Sequence, residues 1–262
     1  QSKGDWGTRG YLAALDAETG DEKWRSYTVP APGEPGSETW KDGHNAWHTG
    51  GGALWTTGSY DPEQKVTIWG TANPVPMYDP EFRPGDNLFT NSAIAWNIGD
   101  GSMKWYFQYT PNESWDYDEN GVHLLYDTQI NGETRKVVGH YGRNGFFYQL
   151  DRTSGSFLNA TQWVSSVTWT AGVDPKTGKP VEYDPGQGLQ NYIPATRAVR
   201  GETADQIELT CPHLTGGIRW QPPAYDERTH RAYSAGVDGC YKLPVTDTVS
   251  AGPNGGIDAS QR

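Results

Sequence analysis

Two stretches, Ala14-Leu-Asp-Ala-Glu-Thr-Gly-Asp-Glu-Lys-Trp24 and Ala95-Trp-Asn-Ile-Gly-Asp-Gly-Ser-Met-Lys-Trp105, overlay without a gap. Both read Ala-x-Asp/Asn-x-x-x-Gly-x-x-Lys-Trp. Self-similarity at intervals of tens of residues marks stacked structural units. A shorter copy runs from Asp151 to Gly155, while Tyr60-Asp61 and Tyr225-Asp226 keep only the opening of the motif. The aspartate can accept backbone N–H groups in a tight turn, and the glycine can take positive φ there. Leu12 to Leu15 leads into the turn, and the aromatic, alternating run Lys23 to Val29 leaves it. That pattern predicts an antiparallel hairpin. The run from Gly139 to Leu150 reads the same way, and Val66 to Trp69 and Arg231 to Ser234 follow further turns. No long stretch carries a convincing helical period.

The composition agrees with turn-dense β structure. The 262 residues include 33 Gly, 18 Pro, 12 Trp and 15 Tyr. So many large aromatics can bury enough area to offset chain entropy, which argues against disorder. Four-stranded blades arranged radially are the expected architecture, an all-β propeller. The net charge of −11 opposes nucleic-acid binding, because phosphates would be repelled. No run of eighteen apolar residues predicts a membrane span. The chain starts at Gln1 without an initiator Met or signal peptide, which fits a mature secreted chain or a fragment. Two cysteines, Cys211 and Cys240, permit one disulfide or two buried thiols. The six histidines show no metal-like spacing and read as ordinary polar residues. There is no Cys-x-x-Cys-His haem signature, no dinucleotide fingerprint, and no phosphate-loop lysine after Gly50-Gly51-Gly52.

Between the repeats lie Gly50-Gly-Gly-Ala-Leu-Trp55, Trp69-Gly-Thr-Ala-Asn73-Pro74, Arg83-Pro-Gly-Asp-Asn87, Thr110-Pro-Asn-Glu-Ser-Trp-Asp116-Tyr-Asp118-Glu-Asn-Gly-Val-His123 and Gly142-Arg143-Asn144-Gly145. In order and spacing these motifs resemble the central part of a quinoprotein alcohol dehydrogenase of the methanol/ethanol dehydrogenase family. The resemblance runs from about Lys3 to about Tyr241. It implies an eight-bladed propeller of which this chain, residues 1–262, covers roughly half as a partial domain. The repeats then resemble the family's tryptophan docking motifs. The resemblance also implies pyrroloquinoline quinone and a bound cation as cofactors, an alcohol substrate, a cytochrome c electron acceptor and a periplasmic location.

Each site residue has a plain structural alternative and a role implied by the resemblance. Trp55 is either a blade-core residue or the aromatic face on which the quinone stacks. Asn73 is a turn residue before proline or an amide-oxygen ligand of a hard cation. Asp116 matches the family's catalytic aspartate, which would accept the alcohol proton as hydride leaves the carbinol carbon. Asp118 stands where lanthanide-using relatives carry a second aspartate and calcium-using ones a small residue, so Asp-x-Asp points to a lanthanide(III) site rather than Ca2+. Alternate residues of an extended segment share a face, so Asp118 should point the same way as Asp116. Asp5 falls where the family has a metal-binding glutamate and is one methylene shorter. Arg143 is a surface hairpin arginine or the donor that stabilises charge developing on the quinone. Arg219 stands where better-known members have an asparagine on the quinone, and Trp220 is either a blade residue or part of the cofactor floor. The context of Cys211-Pro212 matches a segment in which the family pairs its cysteines.

The resemblance leaves the adjacent-cysteine disulfide and the last blades of the family without counterparts. Either a longer polypeptide or another chain completes the ring, and a homodimer is among the expected assemblies. A silent scaffold propeller and a degenerate cation-binding homologue are the competing functions, since fold alone does not give function. The joint presence of Trp55, Asn73, Asp116, Asp118 and Arg143 favours the enzyme.

Overall fold

The computed structural model describes residues 9–43, 45–193, 196–197 and 205–242. Its strands form two four-stranded sheets and two hairpins, all with antiparallel neighbours. The first hairpin is β1 (Tyr11–Leu15) and β2 (Glu22–Tyr27). The first full sheet is a meander of β3 (Ser59–Asp61), β4 (Val66–Gly70), β5 (Ser92–Asn97) and β6 (Met103–Gln108). The second is β7 (Leu124–Ile130), β8 (Glu133–Tyr141), β9 (Phe146–Asp151) and β10 (Phe157–Gln162). A last hairpin joins β11 (Ala224–Asp226) to β12 (Arg231–Tyr233). Helix among the described residues is confined to short 3-10 turns, Ser37–Thr39, Ala46–Thr49 and one at Thr196. This is the sheet arrangement expected of propeller blades, and no helix of the described residues is long and apolar enough to cross a membrane.

The repeat proves to be a turn that docks one blade on the next. Gly20, Gly101 and Gly155 each donate N–H to the carbonyl of the Asp or Asn four residues earlier, at 2.8–2.9 Å. All three glycines have positive φ, between 71° and 80°. The carboxylate or amide oxygen of the same Asp or Asn collects the backbone N–H two residues on. At Gly101 and Gly155 an indole from the preceding unit lies against the glycine. Trp24 packs on Gly101 and donates Nε1–H to Ile98 O at 3.1 Å. Trp105 packs on Gly155 and donates to Arg152 O at 3.2 Å. A Cβ at Gly101 or Gly155 would sit within 2.5 or 2.6 Å of those rings, so glycine is required twice over.

The structure adds a copy that sequence inspection passed over. Asp174 caps Lys176 N and Thr177 N, Gly178 N bonds Asp174 O, and the ring on Gly178 is Phe157. With a phenyl in place of the indole and no Lys-Trp pair, this copy carries no tryptophan signature in the sequence. Asp61 and Asp226 start the same turn, but the left-handed position is taken by Lys65 (φ 55°) and His230 (φ 52°). Those turns need the conformation but not the bare surface.

The main core fills the space between the two full sheets. Ile68, Ala95, Trp105, Tyr109, Trp115, Val138, Tyr148, Leu150 and Trp169 belong to it, all buried. Cys211 and Cys240 are bonded, with Cα atoms 4.4 Å apart. The disulfide places the segment after Pro212 against the core, where Tyr117 donates its hydroxyl to Pro212 O at 2.6 Å.

Candidate active site

The site assembles at the C-terminal ends of β4, β6 and β8. Asn73 follows β4, residues 110–123 follow β6, and Arg143 lies in the turn after β8. The segment bearing Asn73 is held by backbone bonds from Thr71 N to Ser92 O, Ala72 N to Ala53 O, and Asn91 N to Ala72 O. The 110–123 loop has no regular structure, so its polar groups need other partners. Asn91 Nδ2 donates to Tyr117 O at 2.6 Å. Glu113 Oε1 accepts Trp115 N at 2.5 Å and Tyr117 N at 2.9 Å. Trp115 Nε1 donates to Thr196 O, and Tyr241 donates its hydroxyl to Trp115 O.

Four of the expected residues converge. Asp118 Oδ1 accepts Asn73 N at 2.9 Å, and its Oδ2 meets Arg143 Nη1 at 2.5 Å. Asp116 Oδ2 lies 4.0 Å from Arg143 Nη2. The two aspartates thus flank one guanidinium, but not through strand alternation. Asp116 has φ 66°, so the segment is not extended there, and the expectation of an extended Asp-x-Asp is corrected. Aspartate is among the few non-glycine residues that tolerate this left-handed conformation. Arg143 is buried. Burial opposes its charge, yet Asp118, Asp116, Glu119 and Glu113 hold its pKa above the usual arginine value. Leu214 O takes the remaining Nη2 bond at 2.6 Å, and among the described residues Nε has no partner.

The other expected residues are placed less closely. Trp55 is half-buried in a strap whose neighbours touch both arms of the site. Ala53 O pairs with Ala72 N, and the Thr56 hydroxyl donates to Asn120 O. Arg219 and Trp220 leave their side chains exposed, Trp220 by 63%. The Arg219 carbonyl lies 4.0 Å from where a Gly121 Cβ would sit. Asp5 lies outside the described residues.

Three residues escaped sequence reading. Tyr78 points its hydroxyl at Asp116 Oδ2 at 3.4 Å, and burial followed by the Asp116 charge pushes its pKa up. It is presented by a loop around Arg83, whose guanidinium bonds Pro76 O, Met77 O, Asn87 Oδ1 and Glu113 O. Burial lowers that arginine to about 10 and raises Glu113 to about 7. Glu119 and His140 form a buried pair, Oε2 to Nε2, at 2.7 Å. Burial lowers His140 to about 3, so its imidazole is neutral. His140 stacks on His123 at 4.1 Å, and His123 bonds the Tyr109 hydroxyl, so neither is an ordinary surface histidine. The position of Glu119 beside Asp118 was the one available signal.

The donor set suits a hard cation: two carboxylates and an amide whose nitrogen is committed to Pro74 O, leaving Oδ1 as its acceptor end. Among the described residues no group of three His, Cys, Asp or Glu side chains is arranged for a metal. The partnerless Arg143 Nε is a buried donor that suits the oxygen of a bound quinone.

Comparison with known proteins places the chain. Residues 2–164 match the model of the PQQ-dependent glucose/ethanol/alcohol dehydrogenase β-propeller domain. The chain is 35% identical to quinoprotein alcohol dehydrogenase PedE of Pseudomonas putida, over 90% of this chain and 41% of that protein. It is 34% identical to PedH of the same organism, over 88% of this chain and 39% of the relative. Among solved structures it resembles a europium-containing methanol dehydrogenase, with a TM-score of 0.84, 29% identity, and coverage of 94% of this chain and 43% of the other. The chain spans about two fifths of the length of these relatives. It belongs to the PQQ-dependent glucose/ethanol/alcohol dehydrogenase family and is part of that family's β-propeller.

Proposed function

We propose that the complete protein oxidises an alcohol to an aldehyde or ketone, with pyrroloquinoline quinone as the hydride acceptor. Asp116 is the base in this reading. Its carboxylate takes the hydroxyl proton as the carbinol carbon loses hydride, and Tyr78 orients it by a hydrogen bond to Oδ2. When bound, the quinone supplies the two-electron acceptor and the cation its Lewis acidity. Asn73 Oδ1, Asp116 and Asp118 would hold the cation, with Asp5 as a further candidate, and Arg143 would meet the quinone oxygens. Trp55 would stack on the quinone, with Arg219 and Trp220 as outlying contacts. Electrons pass to a cytochrome c, and the compartment is the periplasm. The observation that carries the reading is the convergence of Asp116 and Asp118 on Arg143, with Asn73 bonded to Asp118.

Asp118 supports two readings of the metal. As an added carboxylate it favours a lanthanide(III) over Ca2+. Both its oxygens already have partners, however, which favours Asp118 as the anchor of Arg143. Reconstitution of the full-length protein with quinone and either La3+ or Ca2+ separates them. Alcohol-dependent dye reduction that is higher with La3+, and loses that preference in Asp118→Ala, supports the ligand. Equal activity with both ions supports the anchor. No activity with either ion and a range of primary and secondary alcohols would sink the proposed function.

A further inference from the structure

Glu119 sits where three segments of the site meet. Its backbone N–H donates to Thr71 O, two residues before Asn73, at 3.2 Å. Its own chain position fixes it beside Asp118. Its carboxylate reaches into the turn after β8 and accepts Arg143 N at 3.1 Å and Asn144 N at 3.3 Å. Successive N–H groups converging on one carboxyl group form a nest, which suits its two acceptor oxygens and no aliphatic side chain. The fit leaves no slack: a Cβ on Gly70 would stand 2.0 Å from Glu119 O. His140 Nε2 closes the far side of the carboxylate at 2.7 Å. The imidazole cannot swing away, because His123 covers one face at 4.1 Å and Tyr109 lies against it at 4.8 Å.

We propose that Glu119, clamped by His140, is a positioning residue that sets Arg143 against Asp116 and Asp118 and thereby prepares the quinone site. This rests on the quinone-dependent function above. Neither residue touches the reacting atoms; Glu119 acts through the backbone of Arg143. The guanidinium has one hydrogen-bonded end on Asp118 and the other on Leu214 O, so its height above Asp116 follows the turn that carries it. Losing the clamp frees that turn without emptying the core, since the strands it joins, β8 and β9, keep their ladders within one sheet.

The test uses full-length protein and three variants: His140→Phe, which keeps a ring for stacking but cannot hydrogen-bond Glu119; His140→Gln, which can donate to or accept from Glu119; and Glu119→Gln. Quinone affinity is read with La3+ present from quenching of tryptophan fluorescence, and kcat and KM from dye reduction at saturating quinone. The expected result for His140→Phe and Glu119→Gln is quinone affinity and kcat each reduced about 10-fold or more, with the alcohol KM near wild type. His140→Gln should recover most of both. A crystal structure of His140→Phe should show Arg143 moved from Asp118. A lowered melting temperature with unchanged affinity, kcat and Arg143 position would overturn the proposal and leave a purely structural pair. Wild-type protein that binds no quinone would instead sink the proposed function, while an unmoved Arg143 in His140→Phe would sink only the positioning role.

Discussion

The repeated Asp-x-x-x-Gly turns (the rim turns) and the 110–123 loop use the same bond, a side-chain carboxylate accepting backbone N–H groups, for different ends. At the rim, Asp174 takes N–H groups from Lys176 and Thr177, two and three residues away. Those bonds, in water, hold its pKa below the usual carboxylate range. Asp16 behaves alike, its ion pair with Lys23 leading and the N–H groups of Thr19 and Glu18 following. In the loop, Glu113 accepts from Trp115 and Tyr117 but is fully buried, and desolvation outweighs the bonds and lifts it to about 7. Glu119 accepts from residues 24 and 25 positions away, and burial pushes it up in the same direction. An exposed cap stabilises one turn locally, whereas a buried one ties distant segments together and bears the cost of desolvation. The candidate site is built on the second kind.

The largest effect expected should separate the regions outright. Asp116→Asn in the complete enzyme should lower turnover by about 10²–10⁴-fold, the usual range for losing a general base. Melting should stay near wild type, since Asn also tolerates the left-handed φ of 66°. Unchanged turnover would remove Asp116 from the chemistry.

The rim should show the reverse, with stability lost and chemistry untouched. Gly155→Ala forces a methyl to within 2.6 Å of Trp105 at φ 72°. Left-handed strain plus overpacking should cost about 2–4 kcal/mol, measured by denaturant unfolding. Gly20→Ala, at φ 80° with nothing within 4 Å, should cost only the strain, about 1–2 kcal/mol. Equal costs at the two sites would show that the docked indole is not what demands glycine.

A pH series sharpens the burial half of the comparison. His140 has a folded pKa of about 3 against an ordinary 6.5. Between those values the unfolded imidazole binds a proton that the folded one does not. Stability from this residue is therefore present above about 6.5 and lost as the pH falls towards 3. The loss of stability between pH 7 and pH 4 should be smaller in His140→Gln than in wild type. An identical slope would mean that the imidazole charges freely in the folded state. The smallest effect belongs to Asp174→Ala, which should lower the melting temperature only slightly, because its bonds to Lys176 N and Thr177 N form a solvent-screened cap.

Much of the rim was legible in the chain alone. The Asp, the glycine and the two strands they join lie within a single short span, as from Tyr11 to Tyr27, so the turn and its hairpin are local facts. The aromatic partner one blade away was legible only because Lys-Trp repeats; where Phe157 replaces the indole, the copy at Asp174 was invisible. The candidate residues of the site were named through likeness to relatives, and their meeting could not be read from spacing. Asn73, Asp116, Asp118 and Arg143 meet because β4, β6 and β8 end at one place. Even the shared direction of Asp116 and Asp118 came from a left-handed residue rather than the expected strand alternation. Tyr78, Glu119 and His140 acquired their significance only through burial. Turn chemistry depends on neighbours in sequence, which the sequence states. Desolvation and long-range hydrogen bonding depend on neighbours in space, and only the packed tertiary structure decides those.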